Sequence, residues 1–341
     1  MRSKRVFVLG AGASVFAGYP LAKDLLKFLR QDPFPEALTQ KAASEVLPKI
    51  DAAFLQLERS TRTRWDLETL LTQLDLFGNI GNLRLVHGEW TAVDRAKITR
   101  VIAEQFQWHQ YNLTKFLRSA SDEDLQSLEA QKLKLVADAW ARKILPGDCI
   151  ITFNWDLLHE AILWLAHKWS YVDGYGFKAP QDIIDKTPSK TMIYKLHGSV
   201  NWVQREDGME VEDIEYVGEF FPGSHPSVRR YPPVTTSWDT GRKLILPTYL
   251  KDISRNRILL DVWGLAQEAL GEAEEIVVIG YSLNPTDHPA RLLLGTELRR
   301  NNSIGRVTVV GKSMGGWPDF LCTVGKQLDR KEQTFEEWAL S

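Results

Sequence analysis

Short apolar runs alternate with amphipathic stretches of helical period, and this rhythm narrows the fold more than any single motif. The runs are Val6 to Leu9, CIITFN from Cys149, Ile193 to Leu196, EIVVIG from Glu275 and RVTVVG from Arg306. Between them lie WDLLHEAILWLAHKW, NRILLDVWGLAQEALG and HPARLLLGTELRRN, in which apolar residues recur at helical spacing. Strands that are apolar throughout are buried on both faces, and strands separated by helices pair in parallel. The expectation is an α/β fold, a Rossmann-like three-layer arrangement around a parallel sheet. Trp202-Val203-Gln204 and Lys243 to Leu246 read as two more short strands. Pro20 opens LAKDLLKFLR, which reads as the helix after the first strand.

The rhythm lapses from about Glu36 to Lys143, where long amphipathic stretches such as EALTQKAASEVLPKIDAAFLQLE and SDEDLQSLEAQKLKLVADAWARKIL replace it. The second stretch offers Ser121 or Asp122 as an N-cap, with Glu123 and Asp124 in its first turn. Residues 31–146 are therefore read as a helical insertion. Residues 1–30 and 147–312 form the α/β core, and 313–341 form a C-terminal tail that packs on the core or on a partner. From about Arg205 to Arg242, Gly, Pro and aromatic residues follow no period, as in FPGSHPSVRRYPPVTTSW. A loop this long inside a compact domain is a lid, a binding surface or a linker. No internal repeat is evident.

Composition closes off several classes of function. Hydrophobic residues make up 44% and charged residues 25%, enough for a sizeable core. Lys plus Arg number 42 against 44 Asp plus Glu, so the formal charge is -2. No global basic field draws the chain to an anionic membrane, and no direct nucleic-acid binding is expected. No window approaches the roughly 20 apolar residues of a membrane span, and the run after MRSKR meets a glycine turn too soon for a signal peptide. A cytoplasmic protein is expected. Two cysteines, Cys149 and Cys322, cannot build a four-thiolate zinc site, and no metal site is expected.

A parallel sheet places ligands beyond the carboxyl ends of its strands, so the polar residues that follow each run are the candidates. They are Gly10, Ala11, Gly12 and Ser14 after the first strand and Thr152, Asn154 and Asp156 at the end of CIITFN. His197 follows IYKL, Gly280 and Ser282 follow EIVVI, and Gly311 follows RVTVV. All should converge on one edge. The peptide N–H groups of GAGAS at a helix start could cradle a pyrophosphate. A hydride-transferring Rossmann domain would carry G-x-G-x-x-G and an acidic residue about 20 positions later at a second strand end. Here Val15 holds the third-glycine position and Asp32 sits in Gln-Asp-Pro-Phe-Pro, which argues against a dehydrogenase.

GAGAS, Thr152-Phe153-Asn154-Trp155-Asp156, Leu196-His197-Gly198 and Gly280-Tyr281-Ser282-Leu283, in this order, resemble the NAD-binding core of the sirtuin family. AGYPLAKDLL and LPTYLKD look more like the divergent sirtuin-like domains of bacterial antiphage defence systems. The resemblance implies that Gly10, Gly12 and Ser14 hold the pyrophosphate and that Asn154 sits by the nicotinamide ribose and orients a nucleophile. It assigns the nicotinamide carboxamide to Asp156, general-base work to His197, and phosphate or adenosine ribose to Ser282. Protein-deacylating relatives carry a four-cysteine zinc module that helps form the acyl-lysine cleft, and this chain cannot assemble one. Phe153 replaces the glutamine that deacylases place before the asparagine, and Gly311-Lys312 replaces the asparagine near the adenine ribose. Water is then favoured over an acylated peptide as acceptor. The implied activity is hydrolysis of NAD+, as substrate, to nicotinamide and ADP-ribose, with no cofactor. The implied biology is an NAD-depleting effector in antiviral defence that forms a homo-oligomer, with a HerA-like ATPase or Argonaute-like protein as activating partner. A sensor that binds NAD or ADP-ribose without turnover is the alternative, as is an NAD-dependent protein deacylase or ADP-ribosyltransferase.

Other conspicuous residues carry plainer expectations. His159 and His167 share one predicted helix with no third metal ligand in view. Asp287 and His288, near a predicted helix start, read as capping residues. The tryptophans, including Trp65, Trp108, Trp155 and Trp263, read as core packing rather than base stacking. Arg229-Arg230 and Arg299-Arg300 read as solvent or partner surface.

Overall fold

The computed structural model describes residues 4–31, 37–61, 67–80, 84–85, 88–119, 127–177, 188–205, 208–211, 242–246, 253 and 256–341. The chain opens with β1 (Arg5–Leu9), three 3-10 turns (Ala11–Ala13, Val15–Ala17, Ala22–Asp24) and the short α1 (Leu25–Phe28). Then come α2 (Ala37–Thr61), α3 (Leu67–Ile80), the two-residue strands β2 (Arg84–Leu85) and β3 (Gly88–Glu89), α4 (Ala92–Ser119) and α5 (Leu128–Lys143). The core resumes with β4 (Cys149–Thr152), α6 (Leu158–Leu165), β5 (Met192–Lys195), β6 (Gly198–Arg205), β7 (Gly208–Val211) and β8 (Arg242–Leu244). It ends with α7 (Arg257–Glu272), β9 (Glu275–Ile279), α8 (His288–Arg300), β10 (Arg306–Val310), α9 (Trp317–Thr323), β11 (Gln327–Lys331) and α10 (Phe335–Leu340).

Six strands form one sheet in the order β11-β10-β9-β1-β4-β5, and every pairing is parallel. Numbered by their own succession they run 3-2-1-4-5-6, the order of a doubly wound Rossmann-like sheet, with the switch point between β1 and β9. Val6, Phe7, Val8 and Leu9 of β1 are buried, as a central strand covered on both faces requires. Phe7 meets Trp140 of α5 edge-on, with ring centroids 5.3 Å apart, and α7 packs on α8 and β5.

Several expectations need correction. LAKDLLKFLR is not one helix: Gly18, at φ 85°, ends the second 3-10 turn, Leu21 is the N-cap of a third such turn, Leu25 and Leu26 lie in the four-residue α1 and Leu29 is its C-cap. The strands at Trp202 and Lys243 fall in β6 and β8, which join β7 in a separate antiparallel sheet. Residues 313–341 do not form a mere tail, because β11 pairs with β10 as the sixth strand of the main sheet. The N-cap of α5 is Ser127, whose Oγ accepts from Ala130 N; Ser121 to Asp124 lie outside the described residues. So do Asp32, Trp65, Arg229-Arg230, most of the Arg205–Arg242 loop and LPTYLKD beyond Leu246. Among the described residues no helix is long and apolar enough to cross a membrane.

At the switch point the turn after β1 and the turn after β9 lie backbone to backbone. Gly12 N donates to Gly280 O at 3.0 Å, and a Cβ on Gly12 would stand 2.8 Å from Gly280 Cα. Gly280 adopts φ 64°, and a Cβ there would stand 2.3 Å from Ala13 N. Gly280→Ala is therefore expected to cost about 2–4 kcal/mol, since backbone on both sides must move. Gly305→Ala, where an added Cβ meets nothing within 4 Å, should stay within about 0.5 kcal/mol of the parent. Urea denaturation of the two variants checks this, and equal midpoints would refute it.

A candidate active site at the carboxyl edge of the sheet

The two glycine turns divide the sheet's carboxyl edge. On the β4 and β5 side lies a cavity of about 160 Å³, lined by Ala11, Asn154, Asp156 and His197 among others. It holds on the order of five waters by volume. On the β9 and β10 side lies a groove of about 880 Å³, lined by Gly12, Gly280, Ser282 and Gly311 among others. Eight of the expected residues thus reach this edge in two groups. Gly10, Ser14 and Thr152 line neither space.

Those three instead hold Asn154. Its Nδ2 donates to Gly10 O at 3.0 Å and to Ser14 Oγ at 3.1 Å, and its backbone N donates to Thr152 Oγ1 at 3.1 Å. Gly10 O can only accept, so the amide is turned with its nitrogen inward. Oδ1 is then the end available to a ligand.

Four backbone amides of the first turn are engaged within the protein. Gly10 N donates to Ile279 O, Gly12 N to Gly280 O, Ala13 N to Gly10 O and Ser14 N to Ala11 O. Ser14 is wholly buried. Gly10 and Gly12 bond across to the β9 side, Ala13 and Ser14 close the first 3-10 turn, and further 3-10 turns rather than a full α-helix follow. The cationic side chains on the groove are Lys23, Lys132 and Lys312.

Asp156 is buried, and its Oδ1 accepts from Leu158 N at the start of α6. Behind it Lys195 Nζ donates to Asp156 O and lies 2.7 Å from Glu160 Oε1, both side chains being sealed from solvent. Burial raises the carboxyl pKa values of Asp156 and Glu160; Lys195 opposes the rise at both, and a hydrogen bond from Ser14 also opposes it at Asp156. Tyr175 OH and Asn201 continue this network beneath the cavity.

His197 follows β5, and the side sheet fixes its backbone. Ile245 N donates to His197 O at 2.9 Å, Trp155 Nε1 to Ile245 O at 3.1 Å and Trp263 Nε1 to Leu196 O at 2.9 Å. The ring packs 5.1 Å from Phe153, which stacks on Tyr281 at 4.3 Å. Nε2 stands 3.5 Å from Asp287 Oδ2. Asp287 occupies the N-cap of α8 as expected, yet its side chain makes no cap bond; it accepts from Tyr281 OH at 3.1 Å. Sequence reasoning undervalued Asp287 and missed Glu68, Phe106 and Asn284, which also line the cavity. Glu68 comes from α3 and Phe106 from α4, so the insertion forms part of the wall. Asn284 Nδ2 donates to Glu68 Oε2 at 2.8 Å, which ties that wall to the turn after β9.

No protein-family model matches the sequence, and no curated protein matches it either. Among solved structures the chain is similar to a Sir2 homologue crystallised with NAD, at 14% identity and a TM-score of 0.44, covering 99% of this chain and 88% of that one. It is similar to two Sir2 homologue mutants, one with 2'-O-acetyl ADP ribose (TM-score 0.42) and one with ADP ribose (TM-score 0.41). Each is 15% identical, with 99% of this chain and 90% of that chain covered.

His159, one residue before Glu160, is no ligand. Its ring is packed between Trp140 and Phe335, and neither nitrogen has a hydrogen-bond partner among the described residues. Burial, helped by the charge of Lys195, pushes its pKa down to about 3. The folded protein therefore keeps His159 neutral over a range in which the unfolded chain protonates it. Stability from this residue is present above pH ~6.5 and is lost as pH falls toward 3, amounting to about 2 kcal/mol by pH 5. Asp156 and Glu160, with raised pKa values, act in the opposite direction, so the comparison must be with a variant. The fall in unfolding free energy from pH 7 to pH 5 should be about 2 kcal/mol smaller in His159→Leu than in the parent. Equal falls would show that His159 does not titrate as described.

Proposed function

We propose that the chain is an NAD+ glycohydrolase that cleaves NAD+ to nicotinamide and ADP-ribose. The observation that carries this reading is the shared cavity, in which Asn154 and Asp156, from the end of β4, meet His197, from the end of β5, beside the first glycine turn. The motif order that resembles sirtuins supports the same assignment.

The chemistry follows from the groups present. The bond from the ribose carbon to the pyridinium nitrogen breaks with its electron pair going to the ring, so nicotinamide leaves neutral and the sugar becomes oxocarbenium-like. Asn154 Oδ1, fixed by the two bonds of its Nδ2, presents the negative end of an amide dipole to that charge. Water forms the new bond to the carbon, and a neutral His197 accepts its proton. Asp156 serves the carboxamide. Charge favours one orientation: the cavity carries Glu68, Asp156 and Asp287 toward a cationic ring, and the groove carries three lysines, Lys23, Lys132 and Lys312, against two glutamates, Glu129 and Glu336.

An effector role in antiviral defence, assembly as a homo-oligomer and activation by a HerA-like ATPase or Argonaute-like partner belong to the same reading. They rest on the sequence resemblance.

Chromatographic detection of nicotinamide from NAD+ tests the reaction, with the candidate partners titrated in. Asn154→Ala and His197→Ala should each lower turnover about 100-fold or more while the protein still binds ADP-ribose. Turnover left intact in both would refute the assignment. Labelled NAD+ that marks a protein instead of yielding free ADP-ribose would replace hydrolysis by transfer.

A further inference from the structure

The turn from β9 to α8 is held in an unfavourable shape. Leu283 adopts φ 53°, a left-handed conformation uncommon for a branched side chain. Its surroundings enforce it: Gly316 N donates to Ser282 O at 3.0 Å, Trp317 Nε1 to Tyr281 O at 2.7 Å and Arg291 Nη1 to Leu283 O at 3.3 Å. Strain of this kind persists where the surrounding structure over-determines it, and it gathers at functional sites.

What the turn delivers is Asp287. An aspartate at an N-cap ordinarily accepts from the second or third helical N–H. Pro289 removes one of these donors, and the carboxylate makes no cap bond at all. It is turned back, 3% exposed, to accept from Tyr281 OH and to stand 3.5 Å from His197 Nε2. That nitrogen is buried, and the His197 ring lines the cavity.

We propose that Asp287 is the positioning residue of His197, its carboxylate fixing the imidazole as the Nε2–H tautomer and stabilising the imidazolium once Nδ1 has taken a proton. The separation exceeds a full hydrogen bond, and such contacts commonly tighten only when substrate is bound. The catalytic consequence rests on the glycohydrolase reading; the coupling of the two side chains does not. Other charged or titratable groups around His197 are Glu68 on α3, Asp156 before α6, Tyr281 in the turn and Lys195 behind Asp156.

The test is an NMR titration of the His197 ring in 13C,15N-histidine-labelled full-length protein, with circular dichroism as the check of folding. Asp287→Asn should lower the His197 midpoint by about one pH unit, a tenfold weaker hold on the proton, and raise the Nδ1–H tautomer. Tyr281→Phe, which leaves the carboxylate charge less dispersed, should move the midpoint the other way. In turnover, Asp287→Asn should lower kcat about 10- to 100-fold with KM for NAD+ within about twofold. The acid limb of its kcat profile should shift to lower pH by the same amount as the titration. An unchanged midpoint and tautomer in a folded Asp287→Asn variant overturns the proposal. If Asp287→Asn does not fold, an unchanged midpoint in Tyr281→Phe does so. If the titrations shift as described and the parent releases no nicotinamide, the reaction is wrong and the pairing stands.

Discussion

Two turns meet at the centre of the sheet with no side chain between them, and the arrangement of the site follows from that contact. Gly12 and Gly280 can approach because neither bears a Cβ, and their contact splits the carboxyl edge into a small cavity and a long groove. It also engages Gly10 N and Gly12 N, which donate to Ile279 O and Gly280 O. The first turn contributes shape and a carbonyl acceptor, Gly10 O. Lys23, Lys132 and Lys312 line the groove beside it, with Glu129 and Glu336.

The carbonyl matters because it fixes Asn154, and the layer beneath fixes its neighbours. Lys195 and Glu160 form an ion pair with no access to water. Such a pair adds little net stability against an apolar replacement, since desolvation offsets most of the attraction. Removing one partner alone would still cost about 3–5 kcal/mol by leaving the other charge buried. The value of the pair here is positional: Lys195 binds the carbonyl of Asp156, and Tyr175 and Asn201 extend the same network under β6. The cavity floor is rigid for reasons separate from its chemistry.

Much of this was legible in the sequence. A strand apolar on both faces ends where its backbone must turn, so the polar residue after each run had to reach one edge, and Asn154, Asp156 and His197 did. What escaped has physical causes. Gln327 to Lys331 is an edge strand rich in charge, as edges that resist aggregation are, and so gives no apolar signal. The leucines after Pro20 have helical spacing, but Gly18 in the left-handed region redirects the chain first. Alternation at Trp202 is compatible with any sheet, and only the partner strands reveal an antiparallel one. Asp287 looks like a cap because its position is one; the direction of its carboxylate is decided by Tyr281 and His197, which are remote from the helix it begins. Glu68 comes from the insertion and could not be assigned to the edge without its contact to Asn284.

The segments that the sequence separates are not separate in packing. α4 is pinned to the core by Gln107 Nε2 to Val200 O at 2.9 Å, by His109 to Ala17 O at 2.7 Å and by Gln110 Oε1, which accepts from both Tyr19 OH and Leu157 N. α10 closes the opposite flank: Thr334 and Glu337 cap it reciprocally, and Phe335 and Trp338 pack on Trp140 of α5. Glu336 reaches Lys132 on α5 and Glu337 reaches Lys312 after β10, solvent-screened pairs that add little stability. The groove is thus walled by the first turn, the last helix of the insertion and the last helix of the chain. Apolar contacts hold that wall in place, and Lys132 and Lys312 are paired with glutamates at its rim. A boundary drawn between core, insertion and tail would cut through the one surface on which all three depend.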